Sequence, residues 1–262
     1  MISYLYKDWE ECDIPYEDPE DTQHNLQRPT GHRTYKHVTQ SLSWKIPTVP
    51  DYINDLKQDD PILIEYIRRY WIISPSPGSP VLSNPDRVDR SQAGASNGET
   101  FSNTLYFERF RNWTGLLVEP SPEYFSEMLA KRRNSFMINA CLSPTDRPMT
   151  AHFSVQCFPA YSILKALNVS RIDYFSLDVE GIENLILKTL PLDKIDIDIF
   201  SIDYRVAKDK VESQNKLEEI SQILKKYDYH FAGKMMRLDV ILQKGLRRRQ
   251  DPVCFPQRTK TF

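Results

Sequence analysis

The stretch RIDYFSLDVEGIENLILK, residues 171–188, carries in turn the patterns of a strand, an acidic turn and a helix. Residues 174–177 suit a buried strand, Asp178, Glu180 and Gly181 form the turn, and an amphipathic helix follows. In an open α/β sheet, ligands bind beyond the carboxyl ends of the strands, which is where such a turn projects. The stretch therefore predicts an α/β fold with a candidate site at the acidic turn.

The sequence on both sides of this stretch alternates predicted strands with predicted helices. The predicted strands are 115–120, 136–142, 174–177, 197–204, 229–233 and 238–243, and the predicted helices are 59–73, 101–113, 121–133, 161–167, 182–190 and 210–227. Such alternation indicates a mainly parallel sheet. The last two strands are too close together for a crossover helix, so we expect them to pair as an antiparallel hairpin.

Composition divides the chain into three parts. Residues 1–54 are polar and acidic without sustained periodicity, and they are predicted to be irregular. Residues 55–245 hold the predicted strands and helices, interrupted by an irregular, proline-containing linker at 74–98. Residues 246–262 are predicted to be a tail.

Composition also limits the expected partners and location. A net charge of −2 over 262 residues gives no basic surface field, so nucleic acid is not an expected partner. No apolar run approaches the length of a membrane span, and the first residues lack a signal-peptide pattern. These features predict a cytoplasmic protein by default. The glycosylation sequons Asn112-Trp-Thr114 and Asn168-Val-Ser170 would matter only in a secretory lumen.

The spacing of cysteines and histidines predicts neither a metal site nor a disulfide framework. Three histidines near the first cysteine match no metal-ligand spacing. The cysteines are widely spaced and form no CxxC pair; they are Cys12, Cys141, Cys157 and Cys254.

Glu119 and a glycine turn upstream of it form the first half of a candidate ligand site. Glu119 ends a predicted strand, and a carboxylate there can accept hydrogen bonds from both hydroxyls of a ribose. Alternatively, it complements the dipole of the helix that follows. The turn 93–99 has two glycines that allow close approach to the backbone and two polar residues that can bind ligand atoms: Gly94, Gly98, Asn97 and Glu99.

The acidic turn forms the second half of the candidate site. One of Asp178 and Glu180 can accept a proton from a substrate hydroxyl and so raise its nucleophilicity toward an electrophilic methyl group. Either carboxylate can instead bind a metal or the ammonium group of a cofactor. The structural alternative is that Glu180 or Glu183 caps the helix that begins at Ile182. We favour a functional role for Asp178 and Glu180.

Several stretches resemble a known family. Residues 177–183, LDVEGIE, and 115–120, GLLVEP, resemble the FkbM-type methyltransferase domain. The run 98–119, GETFSNTLYFERFRNWTGLLVE, resembles its invertebrate branch, which is related to the protein Star. The resemblance covers roughly residues 55–245. It implies a Rossmann-like methyltransferase sheet, S-adenosylmethionine as cofactor, and O-methylation of an unknown hydroxyl-bearing substrate.

The resemblance also implies which residues form the site. It places catalysis at Asp178 and Glu180. The implied cofactor contacts are Gly94, Asn97, Gly98, Glu99, Glu119, Cys141 and Leu142. Because Star is a membrane-tethered trafficking factor, the resemblance equally allows a non-catalytic protein that binds a protein partner in the secretory or endosomal pathway.

The chain departs from the family pattern at the first strand of the sheet. Members of the family carry an apolar strand directly before the glycine turn, whereas residues 84–92 are polar, charged and proline-bearing. That strand belongs in the centre of the sheet, between the strands that end at Glu119 and Asp178. Without it the sheet must close up, accept another segment or stay incomplete. We therefore expect weak or no S-adenosylmethionine binding, since a cofactor site needs placement to about half an ångström.

Overall fold

The structure, a computed structural model, describes residues 2–6, 45–76, 97–99, 102, 104–151, 154–206, 209–235 and 239–245. All of them belong to one compact unit, which comprises residues 1–7 and 42–245. A second unit, residues 8–41 with 246–262, lies outside the described residues, as do residues 77–96 of the predicted linker.

The described residues form an α/β fold, as the sequence predicts. Its strands are β1 (Ile2–Tyr6), β2 (Thr114–Val118), β3 (Phe136–Ile138), β4 (Cys141–Leu142), β5 (Met149–Ala151), β6 (Val155–Phe158), β7 (Arg171–Leu177), β8 (Asp196–Asp203), β9 (Tyr229–Met235) and β10 (Asp239–Lys244). Its helices are α1 (Pro61–Tyr70), α2 (Leu105–Arg111), α3 (Pro122–Ala130), α4 (Ala160–Ala166), α5 (Glu183–Thr189) and α6 (Lys210–Lys225), with a short 3-10 helix at Asp51–Asp55.

The main sheet has seven strands in the order β3-β2-β1-β7-β8-β10-β9. The predicted C-terminal hairpin is confirmed, since β9 and β10 pair antiparallel. The prediction of a mainly parallel sheet is wrong, because most neighbouring strands of this sheet pair antiparallel. Only β2 with β3 and β7 with β8 pair in parallel, whereas β1 and β10 run against both of their neighbours. The sheet is therefore mixed.

The central place in this sheet is occupied by β1. Ile2 lies opposite Val118 of β2 on one side and opposite Leu177 of β7 on the other. Of the three outcomes that the absent strand allows, the structure therefore shows the second, in which another segment takes its place. Residues 2–6, which composition assigns to an irregular segment, are rich in the β-branched and aromatic side chains that favour strands. Residues 84–92 themselves lie outside the described part of the chain.

A second, smaller sheet has the order β4-β6-β5, and a disulfide crosses it. The predicted strand 136–142 is interrupted at Asn139 and Ala140, so its last two residues join β6 instead of the main sheet. Cys141 of β4 lies opposite Cys157 of β6, and their sulfur atoms are bonded. The prediction that the chain has no disulfide framework is therefore wrong. Sequence spacing alone could not show that these cysteines face each other.

Helices cover both faces of the main sheet. Side chains alternate along β2, so that Leu116 and Val118 join the larger core with α1, α4, α5 and α6. Leu117 joins a smaller core with Phe125 and Met128 of α3. Both faces of β2 are consequently buried, which explains its uninterrupted apolar sequence.

Candidate functional site

Three acidic residues lie at the carboxyl ends of strands that run in the same direction. Glu119 directly follows β2, Asp178 directly follows β7, and Asp203 is the last residue of β8. Because β1 runs antiparallel to both β2 and β7, those two strands point the same way, and β8 is parallel to β7. The three residues therefore share one edge of the sheet, which we call the carboxyl edge.

Glu119 is a buried carboxylate, and only one of its two oxygens accepts a hydrogen bond from the described residues. Its side chain is almost inaccessible, at 2% exposure. Its Oε1 accepts a hydrogen bond of 2.8 Å from the backbone N–H of Ser121, whereas its Oε2 is buried with no hydrogen-bond partner among the described residues. Burial raises the pKa of Glu119 from its usual 4.5 to about 7, because the charged form loses solvation.

The backbone around Glu119 is held by the neighbouring strand. Its N–H donates to the carbonyl of Ile138 at 3.1 Å, which extends the pairing of β2 with β3. The buried amide of Asn139 donates to the carbonyl of Glu119 at 2.8 Å and to that of Pro120 at 3.2 Å. Sequence reasoning missed Asn139, although a polar residue directly after an apolar strand is a usable signal. This support fixes Glu119 at the carboxyl edge.

The helix after Glu119 is capped by another residue. The hydroxyl of Ser121 accepts from the N–H of Tyr124 at 3.3 Å, which satisfies one free N–H group of α3. Glu119 itself bonds Ser121, which precedes the helix. The helix-dipole interpretation thus accounts for one oxygen of Glu119 and leaves the buried Oε2 unexplained.

Asp178 lies in the acidic turn after β7 and is half-buried. Burial raises its pKa to about 6, and the negative charges of Asp203, Glu180 and Glu183 act in the same direction. Its carboxylate is therefore a proton acceptor close to neutrality, as a general base requires.

The acidic turn owes its shape to Glu183, not to Glu180. The Oε1 of Glu183 accepts from the N–H of Val179 at 2.8 Å and from that of Gly181 at 3.3 Å. Lys216 of α6 forms an ion pair with the buried Glu183 carboxylate. Glu180 is exposed, with a left-handed backbone at φ 57°. Of the two residues considered for a structural role in this turn, Glu180 and Glu183, it is therefore Glu183 that binds the backbone of the turn. Sequence reasoning missed Lys216.

The described part of the glycine turn, residues 97–99, packs against α3. Gly98 has φ 78°, and a Cβ atom there would lie 2.8 Å from the Cγ atom of Met128. The carboxylate of Glu99 forms a half-buried ion pair of 2.5 Å with Lys131, and the side-chain oxygen of Asn97 accepts from the N–H of Glu99 at 3.2 Å. These contacts give Gly98 and Glu99 packing roles.

Residues 97–99 do not lie at the same edge of the sheet as Glu119. The carbonyl of Gly98 accepts a hydrogen bond from Arg133, which lies just before β3 begins. Since β2 and β3 are parallel, the beginning of β3 and the end of β2 lie at opposite edges of the sheet. The turn 97–99 is therefore anchored at the amino edge, whereas Glu119 and Asp178 lie at the carboxyl edge. Gly94 lies outside the described residues.

The two other expected cofactor contacts follow β3. Cys141 is half-exposed and forms the disulfide with Cys157. Leu142 is buried and lines a small apolar cavity together with Val118 and Phe175. Neither side chain offers a strong hydrogen-bonding group to a ligand.

No family model, no curated protein and no solved structure matches this chain. Among the helices of the described residues, none has the length and apolar character needed to cross a membrane. Within the same residues, no group of three or more His, Cys, Asp or Glu side chains is arranged to hold a metal ion.

Proposed function

We propose that this chain is a methyltransferase-like protein that binds the nucleoside part of S-adenosylmethionine at the carboxyl edge, with Glu119 accepting hydrogen bonds from the ribose. The buried Oε2 of Glu119, which has no hydrogen-bond partner among the described residues, carries the proposal. A buried polar atom without a hydrogen bond costs about 1–3 kcal/mol, more when charged, so such atoms call for an explanation. A ligand with two adjacent hydroxyl donors would satisfy this oxygen.

The strand order supports the same location. Five neighbours, β3-β2-β1-β7-β8, have the 3-2-1-4-5 order of a doubly wound nucleotide-binding sheet when β7 and β8 are counted as its fourth and fifth strands, although β1 runs antiparallel to the other four. In such sheets the ligand lies at the switch point beside the first strand. Glu119 and Asp178 lie at the carboxyl ends of β2 and β7, which run in the same direction on the two sides of β1, and so they flank the position that corresponds to this switch point.

The presence of β1 in the centre of the sheet also changes the expectation that the chain binds S-adenosylmethionine weakly or not at all. That expectation rests on two unpaired inner edges, and β1 pairs with both of them. Glu119 therefore keeps a supporting strand on each side of β2. The remote position of residues 97–99 still predicts lower affinity than a complete glycine turn would give.

The proposed reaction is O-methylation of an unknown hydroxyl-bearing substrate. The cofactor, when bound, would supply an electrophilic methyl group on a sulfonium sulfur, which would keep the electrons of the broken sulfur–carbon bond and leave as a neutral thioether. Asp178 accepts the proton of the substrate hydroxyl as that oxygen forms its bond to carbon. Because the pKa of Asp178 is about 6, most copies of its carboxylate are ionised and able to do so at pH 7. Glu180, exposed beside it, is proposed to orient the substrate.

A non-catalytic protein that binds a protein partner is the second candidate. The position of Gly98 and Glu99 at the amino edge favours it, because the turn expected to cradle the cofactor makes structural contacts instead. In this case Glu119 and Asp178 would be remnants of an ancestral site.

Calorimetric titration with S-adenosylmethionine separates the two candidates. We expect saturable binding by the wild type and at least roughly tenfold weaker binding by Glu119→Gln, since a charge-assisted hydrogen bond contributes about 1.5–3 kcal/mol. Glu123→Gln, an exposed acid in the first turn of α3, is the matched control and should bind like wild type. Absence of binding by the folded wild type at millimolar cofactor would contradict the proposal and favour the second candidate.

A methyl-transfer assay tests the catalytic step. Labelled cofactor is added to cell extract with the wild type or with Asp178→Asn. Loss of transferred label in the variant, with cofactor affinity unchanged, supports the role of Asp178. Equal transfer by both proteins would remove Asp178 from the mechanism.

A further inference from the structure

The disulfide between β4 and β6 indicates the environment in which this domain folds. Cys141 and Cys157 are 16 residues apart in sequence, with Cα atoms 4.2 Å apart across a paired register. Structural disulfides persist in oxidising compartments, such as the secretory lumen, and are rare where glutathione keeps thiols reduced. The same lumen attaches glycans to asparagines in Asn-X-Ser/Thr sequons.

Both sequons of this chain lie in exposed turns. Asn112 directly follows α2, and Asn168 lies in the turn between α4 and β7. Their side chains are exposed, and both backbones are left-handed, with φ 52° and φ 58°. Asparagine tolerates this conformation better than most residues. Each turn therefore presents its amide to solvent, where an attached glycan meets no packed core.

The two asparagines also share one edge of the sheet. Asn112 precedes β2 and Asn168 precedes β7, and these strands run in the same direction on the two sides of β1. Both turns consequently lie at the amino edge, whereas Glu119 and Asp178 lie at the carboxyl edge. Glycans at the amino edge would leave the candidate ligand site uncovered.

We propose that Asn112 and Asn168 carry N-linked glycans, added in the oxidising lumen where the Cys141–Cys157 disulfide forms. In the transfer, Nδ2 of each asparagine bonds to the anomeric carbon of an oligosaccharide. The bond from that carbon to a lipid-linked diphosphate breaks, the lipid diphosphate leaves, and Nδ2 loses one proton. The proposal rests on the sequons, their exposure and the disulfide, and it is independent of any methyltransferase activity.

Peptide mapping of the full-length protein, purified from the cells that naturally produce it, tests the proposal. The sample is alkylated without reductant and then treated with a peptide N-glycosidase in ¹⁸O-water, which converts a glycosylated asparagine to labelled aspartate. We expect labelled aspartate at positions 112 and 168 and a peptide pair linked through Cys141 and Cys157. An unlabelled asparagine at either position overturns the assignment there, and alkylated Cys141 and Cys157 overturn the luminal environment.

Variants returned to the same cells give an independent readout. Asn112→Gln and Asn168→Gln should each remove one glycan-sized step in gel mobility, and the double variant should not respond to the glycosidase. Asn54→Gln, which alters no sequon, is the matched control and should migrate like wild type. A wild type whose mobility is unchanged by the glycosidase would contradict the proposal.

Discussion

Lys216 and Glu183 form a buried ion pair that joins α6 to the acidic turn after β7. Their side chains are 7% and 1% exposed, so neither charge has water as an alternative partner. The other oxygen of Glu183 binds the N–H groups of Val179 and Gly181. The shape of the turn that carries Asp178 therefore depends on a lysine in a different helix.

Replacing Lys216 with methionine tests this dependence. Lys216→Met keeps an unbranched side chain that is one atom shorter but leaves the Glu183 carboxylate buried without its countercharge, which typically costs about 3–5 kcal/mol. We expect a loss of roughly that size in the free energy of unfolding, measured by urea titration. Lys210→Met, an exposed position in the same helix, should change it by less than about 0.5 kcal/mol. Equal stability of the two variants would show that the pair does not hold the turn.

The position of β1 is testable by engineered crosslinking. Ser3 lies opposite Ser176 of β7 in antiparallel register, and directly opposed residues have Cα atoms about 4.5–5.5 Å apart, within reach of a disulfide. We expect Ser3→Cys with Ser176→Cys to form a disulfide on mild oxidation, detected by mass spectrometry of the peptides. Ser3→Cys with Ser201→Cys, one strand further away on β8, is the control and should not crosslink.

Deleting residues 1–6 tests the energetic role of the same strand. Because β1 pairs with both β2 and β7, its loss exposes two inner edges with unpaired N–H and C=O groups. We expect the truncated protein to lose several kcal/mol of unfolding free energy, as each ladder hydrogen bond contributes about 0.5–1.5 kcal/mol. We also expect it to aggregate through the exposed edges, measured by light scattering. Unchanged stability would show that β1 does not complete the sheet.

The sequence predicts those elements whose patterns are local. The strand β7, its acidic turn and α5 lie within 19 consecutive residues, 171–189, whose periodicity changes from a strand to a helix pattern. Glu119 is likewise predicted from its position between a strand and a helix. Its buried Oε2 is not, because burial depends on the packing of several elements.

The features that the sequence could not predict depend on contacts between distant segments. Ile2 pairs with Val118 and Leu177, more than 100 residues away, and five residues carry too little pattern to choose such partners. The Cys141–Cys157 bond has the same origin, because the spacing of cysteines does not give their separation in space. Tertiary pairing thus determines both the central strand of the main sheet and the crosslink in the smaller sheet.

The disulfide should contribute measurably to stability. In the chain-entropy account, a crosslink that closes a loop of about 15 residues stabilises the fold by about 3 kcal/mol. We expect Cys141→Ser with Cys157→Ser to lower the unfolding free energy by roughly that amount. Dithiothreitol should lower the melting temperature of the wild type but leave that of the double variant unchanged. A wild type that is insensitive to the reductant, with both thiols shown to be free, would contradict the bond.

The buried Glu119 predicts how stability depends on pH. Its pKa is about 7 in the folded protein and near 4.5 in the unfolded chain, so between these values the folded state binds more protons. The contribution of Glu119 to stability therefore falls as pH rises from about 4.5 to about 7, by roughly 3 kcal/mol in total at 1.36 kcal/mol per pKa unit. Glu119→Gln cannot ionise and avoids this loss.

Urea titrations of wild type and Glu119→Gln across this pH range measure the effect. We expect the two proteins to be nearly equal in stability at about pH 4, where the acid is protonated in both states. The variant should become progressively more stable than wild type up to about pH 7, with no further gain above it. The raised pKa of Asp178 is present in both proteins, so its contribution cancels in the difference. Glu123→Gln, which removes an exposed acid, should differ from wild type by a small amount that does not vary across the range. A pH-independent difference for Glu119→Gln as well would mean that water or another donor solvates this carboxylate in the folded protein. Its Oε2 would then already have a hydrogen-bond donor, and the main support for a ligand at Glu119 would be lost.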